Sequence, residues 1–376
     1  MPLTRLKIRN FRNLAAIDLE LAPGINLFFG PNAQGKSALL ETVGYLATST
    51  SHRTRRDEEI IRWEEAAAYA KGVLDDDEDN TLEFGLSREG KQVKVGGGVL
   101  KRICDLYGRL RVVLFVPEDL EIVSGSPTTR RRFIDLTIAQ VDPRHITQLQ
   151  KVQHILRARN QLLKRAQSKR GIPDEMEIWD EQLVQAATPV IRTRQTATRE
   201  IAEGLKRFHN RITEERETLS LSYHSTVVPV EGQSLETAFN ERLIGARDRD
   251  IQNGSTSIGP HRDDLEFALE GRDLRAFGSQ GQRRTGVLAL RLAEIEWLKQ
   301  KTGQDPVLLL DDVIYEMDEK RRQHFFEQID RGGQVLITAT EIEHLAPLAP
   351  RAKLFEVKAG ALKEVQRPKS EERNDE

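Results

Sequence analysis

Cysteine is almost missing from this chain: among 376 residues there is one, Cys104. It can form no internal disulfide, so a reducing cytoplasm is the expected setting. Cys104 itself reads as a small core residue. No apolar run approaches the roughly 18 residues that a membrane span needs. The stretch MPLTRLKIRNF is charged and alternating, without the unbroken apolar core of a signal peptide. The 8 histidines and the cysteine show no metal-ligand spacing. There is no internal repeat, and no nucleophile–base pair outside the phosphate site described below. A strong overall charge is missing too: 57 Lys and Arg against 59 Asp and Glu give a net −2.

That near-neutrality hides an asymmetry. From Thr128 to Arg211 there are 17 Lys and Arg against 9 Asp and Glu, a local +8, so the remainder carries −10. A basic segment in an acidic protein suggests contact with an anionic partner, although long solvated helices also carry many charges. Apolar residues make up 38%, enough for a globular chain of two or three domains.

The pattern of residues changes along the chain. LTRLKIRNF and AAIDLEL alternate as strands do, INLFF is a short buried strand, and KSALLETVGYLA is helical. Strand patterns continue from Ala66 to Pro117, and the acid run Asp75–Asp79 reads as a solvated hairpin turn. Between residues 127 and 250 helical spacing takes over. One stripe runs Ile146, Leu149, Val152, Leu156, Leu163. Another runs Trp179, Leu183, Ala186, Val190, Ala197, Ile201, Leu205, Phe208, Ile212. SKRGIPDE supplies the turn between two antiparallel helices. The second helix would be on the order of 50 Å long, with a kink at Pro189. The expected organisation is an α/β head made of 1–126 and 251–365, a basic helical insertion over 127–250, and a polar, frayed tail over 366–376.

The strongest local signal is Gly30-Pro31-Asn32-Ala33-Gln34-Gly35-Lys36-Ser37, a full match to G-x-x-x-x-G-K-[ST]. A strand precedes it and a helix follows. Glycines let backbone N–H groups curl around a phosphate, and the helix N-terminus adds partial positive charge. Lys36 would reach the β- and γ-phosphates of ATP, and Ser37 would bind Mg²⁺. The metal also needs a carboxylate. PVLLLDD supplies an apolar strand ending in Asp311, for Mg²⁺, and Asp312, to orient or deprotonate the attacking water.

A polar turn, FGSQGQRRT, precedes a strongly helical run. Ser279, Gln280, Gly281 and Gln282 could simply cap that helix. Their order relative to the acid-ended strand is instead that of ABC-class ATPases. In that class the turn meets the γ-phosphate held by a second subunit, which implies a head-to-tail dimer. At LKIRNFRNL, GPNAQGKSALLE, SHRTRRDEEII, LFVPEDLEIVSGSPTTRRRFID, RNQLLK, SIGPHRDDL, FGSQGQRRTGVLALRLAE, LLLDDVIYEMD and VLITAT the chain resembles the RecF family, short relatives of the SMC-type ABC ATPases.

The resemblance implies an ABC-type P-loop head, a mixed sheet with a β lobe. It implies ATP and Mg²⁺ as cofactors, an ATP-dependent homodimer and weak DNA-stimulated hydrolysis. DNA would be the partner, as duplex, single strand or gap, together with RecR and the RecA/RecO pathway, in gap repair, replication restart and the SOS response. Arg12 and Asn13 resemble contacts to the base and ribose side of the nucleotide. Asp318 resembles the acid that crosses the dimer interface. Asp312 replaces the glutamate of transport ATPases, which fits slow turnover. Glu118, after a strand of the β lobe, stands where relatives place a glutamine. Thr338 and Thr340 stand where many place a histidine. The basic clusters Arg53, Arg55, Arg56 and Arg130, Arg131, Arg132 are candidate DNA contacts, and GPHRDDL is either a salt-bridged turn or part of an interface. Rival readings are a transporter ATPase subunit, which would fractionate with membranes, and an SMC-like tether, which would be elongated in solution.

Overall fold

Burial every second residue organises the N-terminal strands. β1 (Leu3–Phe11) buries Leu6 and Ile8. A register shift between Leu3 and Arg5 lets Leu3 face the core as well. β2 (Leu14–Glu20) pairs antiparallel with β1. β3 (Ile25–Phe29) is buried almost throughout and leads into α1 (Lys36–Thr48). β4 (Ala67–Leu74), β5 (Asp77–Ser87), β6 (Gly90–Val95) and β7 (Gly98–Val99) extend the antiparallel sheet in the order β2-β1-β4-β5-β6-β7. Asp75 and Asp76 form the β4–β5 turn, both at φ 56°. Two positive-φ positions are what a type I′ hairpin needs, so the acids serve backbone geometry as well as solvation. β8 (Val112–Phe115) belongs to a different, parallel sheet. These coordinates are a computed structural model that describes residues 2–54, 56–168, 175–313, 322–323, 325–327 and 333–365.

The middle of the chain is mostly helical. α2 (Leu120–Ser124) and α3 (Pro127–Ala139) precede α4 (Arg144–Ser168) and α5 (Met176–Thr213). The α5 stripe is buried from Leu183 to Ile212, as its spacing requires, while Trp179 is half-buried. At ~1.5 Å per residue its 38 residues span roughly 57 Å, with Pro189 inside. β9 (Leu219–His224), α6 (Leu235–Asn253), β10 (Asp264–Leu269), β11 (Arg272–Asp273), α7 (Leu274–Phe277) and α8 (Gln280–Thr302) complete the stretch. β9, β10 and β11 form a small antiparallel sheet.

The chain then returns with β12 (Val307–Asp311), β13 (Val335–Ala339), β14 (Lys353–Lys358) and β15 (Ala361–Val365). The second sheet runs β15-β14-β3-β13-β12-β8, parallel except for the β14–β15 hairpin. β12 and β13 are buried at every position, which is how strands covered on both faces read in sequence.

The compact units are Met1–Glu118 with Leu298–Glu376, and Asp119–Trp297. This differs from the boundaries expected from sequence, which returned the chain to the head at 251. Residues 251–297 are tied to the helical part by side-chain bonds that no periodicity reveals. Arg130 pairs with Asp264 at 2.7 Å, and Thr256 accepts from the buried Arg159 at 2.9 Å. The position of Glu118 is also corrected. It follows an edge strand of the parallel sheet, since Val112–Phe115 pair with Val307–Leu310. The 366–376 tail and residues 169–174 of the interhelical turn, KRGIPD, lie outside the described residues.

Candidate active site

Strand register brings the phosphate loop and the acids to one sheet edge. β13 lies between β3 and β12, with Thr338 opposite Phe28 on one side and Asp311 on the other. The loop starts where β3 ends, and the Gly30 N–H donates to Ala339 O at 3.2 Å. The carboxyl ends of these parallel strands therefore open onto the same place.

The loop has the backbone that its glycines predict. Gly30 sits at φ 150°, and a Cβ there would lie 2.3 Å from Val357 O. Gly35, at φ 112°, would push a Cβ to 2.6 Å from Leu14 Cδ2. Gly35 caps α1 without any side-chain cap, so first-turn N–H groups remain to face an anion. Lys36 is 3% exposed and donates to Gly30 O at 2.7 Å and Pro31 O at 3.0 Å. Its ammonium is thus held against the loop it serves. The Asn13 amide donates to Ala33 O at 3.1 Å, tying the β1–β2 turn to the loop.

The acids are held by a neighbouring strand. The Thr338 hydroxyl donates to Asp311 Oδ1 at 2.8 Å and accepts from the Asp312 N–H at 2.9 Å. Burial pushes the Asp311 carboxyl above its usual range, opposed by hydrogen bonds from Thr338 and Ser37, while the charge of Asp312 adds to the rise. The Ser37–Asp311 contact brings together the hydroxyl and the carboxylate that the sequence pairs as Mg²⁺ ligands. Asp312 takes φ 53°, and its Oδ1 is buried with no hydrogen-bond partner among the described residues. An orphaned buried carboxylate oxygen is costly unless a cation or polar ligand meets it. Among the described residues no group of three His, Cys, Asp or Glu could hold a metal by itself. An ion here would rest on a hydroxyl, a carboxylate and phosphate oxygens, the ligand set that suits Mg²⁺.

Lys36, Ser37 and Asp312 line one cavity of about 650 Å³ with Arg12, Asn13, Asn32, Ala33, Arg53 and Trp63, and Asp311 and Thr338 stand behind Ser37 and Asp312. Arg12 reaches it through a partner that its motif did not single out. Glu41, fully buried on α1, accepts from Arg12 Nη2 at 2.7 Å and Nε at 3.0 Å, and from Ser51 Oγ at 2.5 Å. Burial pushes the Glu41 carboxyl up, but Arg12 and Ser51 outweigh it and hold it below its usual value. Glu41, Trp63 and Thr338's role as organiser of the acids were not found from sequence. The signals were there only as an acid at i+5 from the loop lysine and a tryptophan in a charged turn.

Other expected site residues lie elsewhere. Arg53 is exposed and lines this cavity, 3.7 Å from Glu41. Arg56 is exposed. Arg130 is no surface cation: it is 2% exposed and bidentate to Asp264. Arg131 is half-buried on Asp263 O, and Arg132 is exposed. GPHRDDL is a turn closed by Arg262 N donating to Gly259 O at 2.9 Å and otherwise tied to segments outside it. Its Asp263 is 1% exposed and accepts from the Thr226 N–H at 2.7 Å. Arg55 and Asp318 lie outside the described residues, and Thr340 is half-buried after β13.

Ser279 and Gln282 form a capping box in the second unit. Ser279 Oγ accepts from Gln282 N at 3.2 Å, and Gln282 Oε1 accepts from Ser279 N at 2.8 Å. Gln282 also donates to Glu217 at 2.7 Å. Ser279 and Gln280 are exposed, with Gly281 half-buried behind them.

Comparison with known proteins bears on this site. A family model described as an AAA domain matches residues 5–221. The DNA replication and repair protein RecF of Lysinibacillus sphaericus (strain C3-41) is 39% identical over 375 residues, covering 96% of this chain and 99% of its own. A solved structure of the recombination mediator protein RecF-ATP in the RecFOR pathway superposes with TM-score 0.87 at 31% identity, over 97% of each chain. An SMC head bound to the C-terminal winged-helix domain of ScpA shares the fold alone, with TM-score 0.55 at 13% identity over 98% of each chain.

Proposed function

Because the chain belongs to the RecF family of DNA replication and repair proteins, we propose that it is a cytoplasmic recombination mediator whose ATP site works as a slow switch. ATP sits on Gly30–Ser37, with Lys36 at its β- and γ-phosphates. Ser37 and Asp311 hold Mg²⁺, which would neutralise phosphate charge. Asp312 orients and deprotonates the attacking water. Glu41 holds Arg12 toward the nucleotide. Ser279, Gln280, Gly281, Gln282 and Asp318 complete the site of a second subunit, so ATP drives a head-to-tail dimer. The dimer binds duplex, single-stranded or gapped DNA, and with RecR it promotes RecA loading in the RecO pathway.

The observation that carries the ATPase reading is Asp312, which lines the cavity of the phosphate loop and whose buried Oδ1 has no hydrogen-bond partner among the described residues. The test is light scattering with and without ATP, and with and without gapped DNA, on the wild type and Lys36→Met. A mass that doubles with ATP in the wild type only is expected. A mass indifferent to ATP, or a Lys36→Met protein that still responds, sinks the switch.

A further inference from the structure

We infer that Trp63 is the platform on which the base of the bound nucleotide stacks. The inference rests on the ATP-site reading above and extends it to a residue that no motif assigns. The cavity of the phosphate loop has a lining of two kinds. Lys36, Ser37, Asp312 and the loop backbone suit phosphate, whereas Ile61 and Trp63 offer apolar surface. Trp63 is the one aromatic side chain among the described residues that line it. It is 87% exposed, more than any other large hydrophobic described. Trp buries 150–250 Å² when it packs, so leaving one in water forgoes a large hydrophobic gain.

Flexibility does not account for that exposure, because the backbone beneath the ring is stitched down. Arg12 N donates to Ile60 O at 2.7 Å, and Arg62 N donates to Asn10 O at 2.9 Å. Ile61 bridges Phe11. Glu65 N then closes a turn onto Arg62 O at 3.0 Å, with Glu64 at φ 67°. Trp63 occupies the second position of that turn, which throws its ring outward from a fixed base. A rigid backbone presenting an exposed ring beside a phosphate site is pre-organised for a flat, apolar ligand, and a nucleobase joined to a triphosphate fits. Stacking uses the face that every base has, so it gives affinity with little choice among purines.

The test measures magnesium–ATP and magnesium–tripolyphosphate binding by calorimetry on the full-length wild type, Trp63→Ala, Trp63→Phe and Lys36→Met. Trp63→Ala is expected to weaken ATP about tenfold, which is about 1.4 kcal/mol, and to leave tripolyphosphate unchanged. Trp63→Phe, which keeps a ring, recovers most of the loss. ATP is also expected to quench tryptophan fluorescence in the wild type and not in Trp63→Phe. Equal ATP affinity in Trp63→Ala and wild type overturns the inference. So does a parallel loss of ATP and tripolyphosphate, which would make Trp63 part of the cavity's fold. Wild type that binds neither ligand, or Lys36→Met that binds both normally, overturns the ATP-site reading itself, and the base platform falls with it.

Discussion

At the scale of single residues, the proposed chemistry rests on a side chain whose backbone is unusual. Asp312 combines a left-handed φ of 53° with an oxygen that has no partner among the described residues. Asn tolerates that region better than most residues, so Asp312→Asn keeps the backbone and replaces the carboxylate by a neutral amide that cannot take up a proton. We expect hydrolysis to fall by about 10²–10⁴-fold, the usual contribution of a general base, with ATP affinity within a few fold of wild type. Steady-state phosphate release beside equilibrium ATP binding checks this, and unchanged turnover would remove Asp312 from the mechanism. His261 makes a different prediction. Burial lowers its imidazole to about 4, with Arg262 and Arg131 lowering it further against Thr256 O and Asp263, which raise it. The unfolded chain takes up the proton near 6.5, so the native state holds fewer protons between those values. His261 therefore stabilises fully above pH 6.5, and that contribution is lost as pH falls toward 4, up to about 3 kcal/mol. In urea melts, His261→Gln should flatten the pH dependence across this window. An identical slope in the variant would show that other groups carry it.

At the scale of elements, the second unit is held by buried ion networks between helices. Arg159 on α4 is 0% exposed and donates to Asp180 on α5 at 2.7 Å and Asp250 on α6 at 3.0 Å. Arg247 donates to the other Asp180 oxygen at 2.9 Å. Asp180→Ala takes one of two carboxylates from a buried guanidinium, and breaking such a pair costs up to about 3–5 kcal/mol. We expect a urea midpoint lowered accordingly, with no effect on the ATP affinity of whatever remains folded. A loss under 1 kcal/mol would show that Asp250 and Thr256 suffice. Arg130 belongs to the same class: its bond to Asp264 ties α3 to β10, so Arg130→Ala tests stability before it tests DNA. The DNA reading is better examined at the exposed Arg56 and Arg132. Their joint change to Ala should weaken gapped-DNA binding and make the log–log salt slope shallower by up to about 0.9 per lost phosphate contact. An unchanged slope would leave both as solvated surface.

At the scale of the whole molecule, the capping box on α8 shapes how the dimer can be tested. Ser279→Arg would damage the helix start as well as any interface. Asp is as good an N-cap as Ser, so Ser279→Asp preserves the helix and places a negative charge where the partner's γ-phosphate would come. We expect Ser279→Asp to bind ATP alone and to form no ATP-dependent dimer. Mixed with Lys36→Met it should recover hydrolysis, up to about one working site per mixed dimer, because a two-fold assembly pairs one intact loop with one intact Ser279. No recovery on mixing, with both proteins folded, would place Ser279 outside any composite site.

Local rules determined much of this protein without help from tertiary structure. Gly30–Ser37, the strand before it and the helix after it follow from steric permission and periodicity, and both act over a few residues. The same holds for the buried run of β12, the stripe of α5 and a turn within the acid run Asp75–Asp79, which the structure narrows to Asp75 and Asp76 because Asp77–Asp79 already belong to β5. What crosses the chain was not legible. Glu41 meets Arg12 across 29 residues, Thr338 meets Asp311 across 27, and Arg130 meets Asp264 across 134. A basic triplet looks the same in sequence whether its arginines face water or a buried carboxylate. Only packing decided that Arg130 is structural, that residues 251–297 join the helical unit, and that Trp63 stands exposed at the cavity of the phosphate loop. Desolvation and pairing of charge depend on neighbours in space, and neighbours in space are what a linear pattern does not carry.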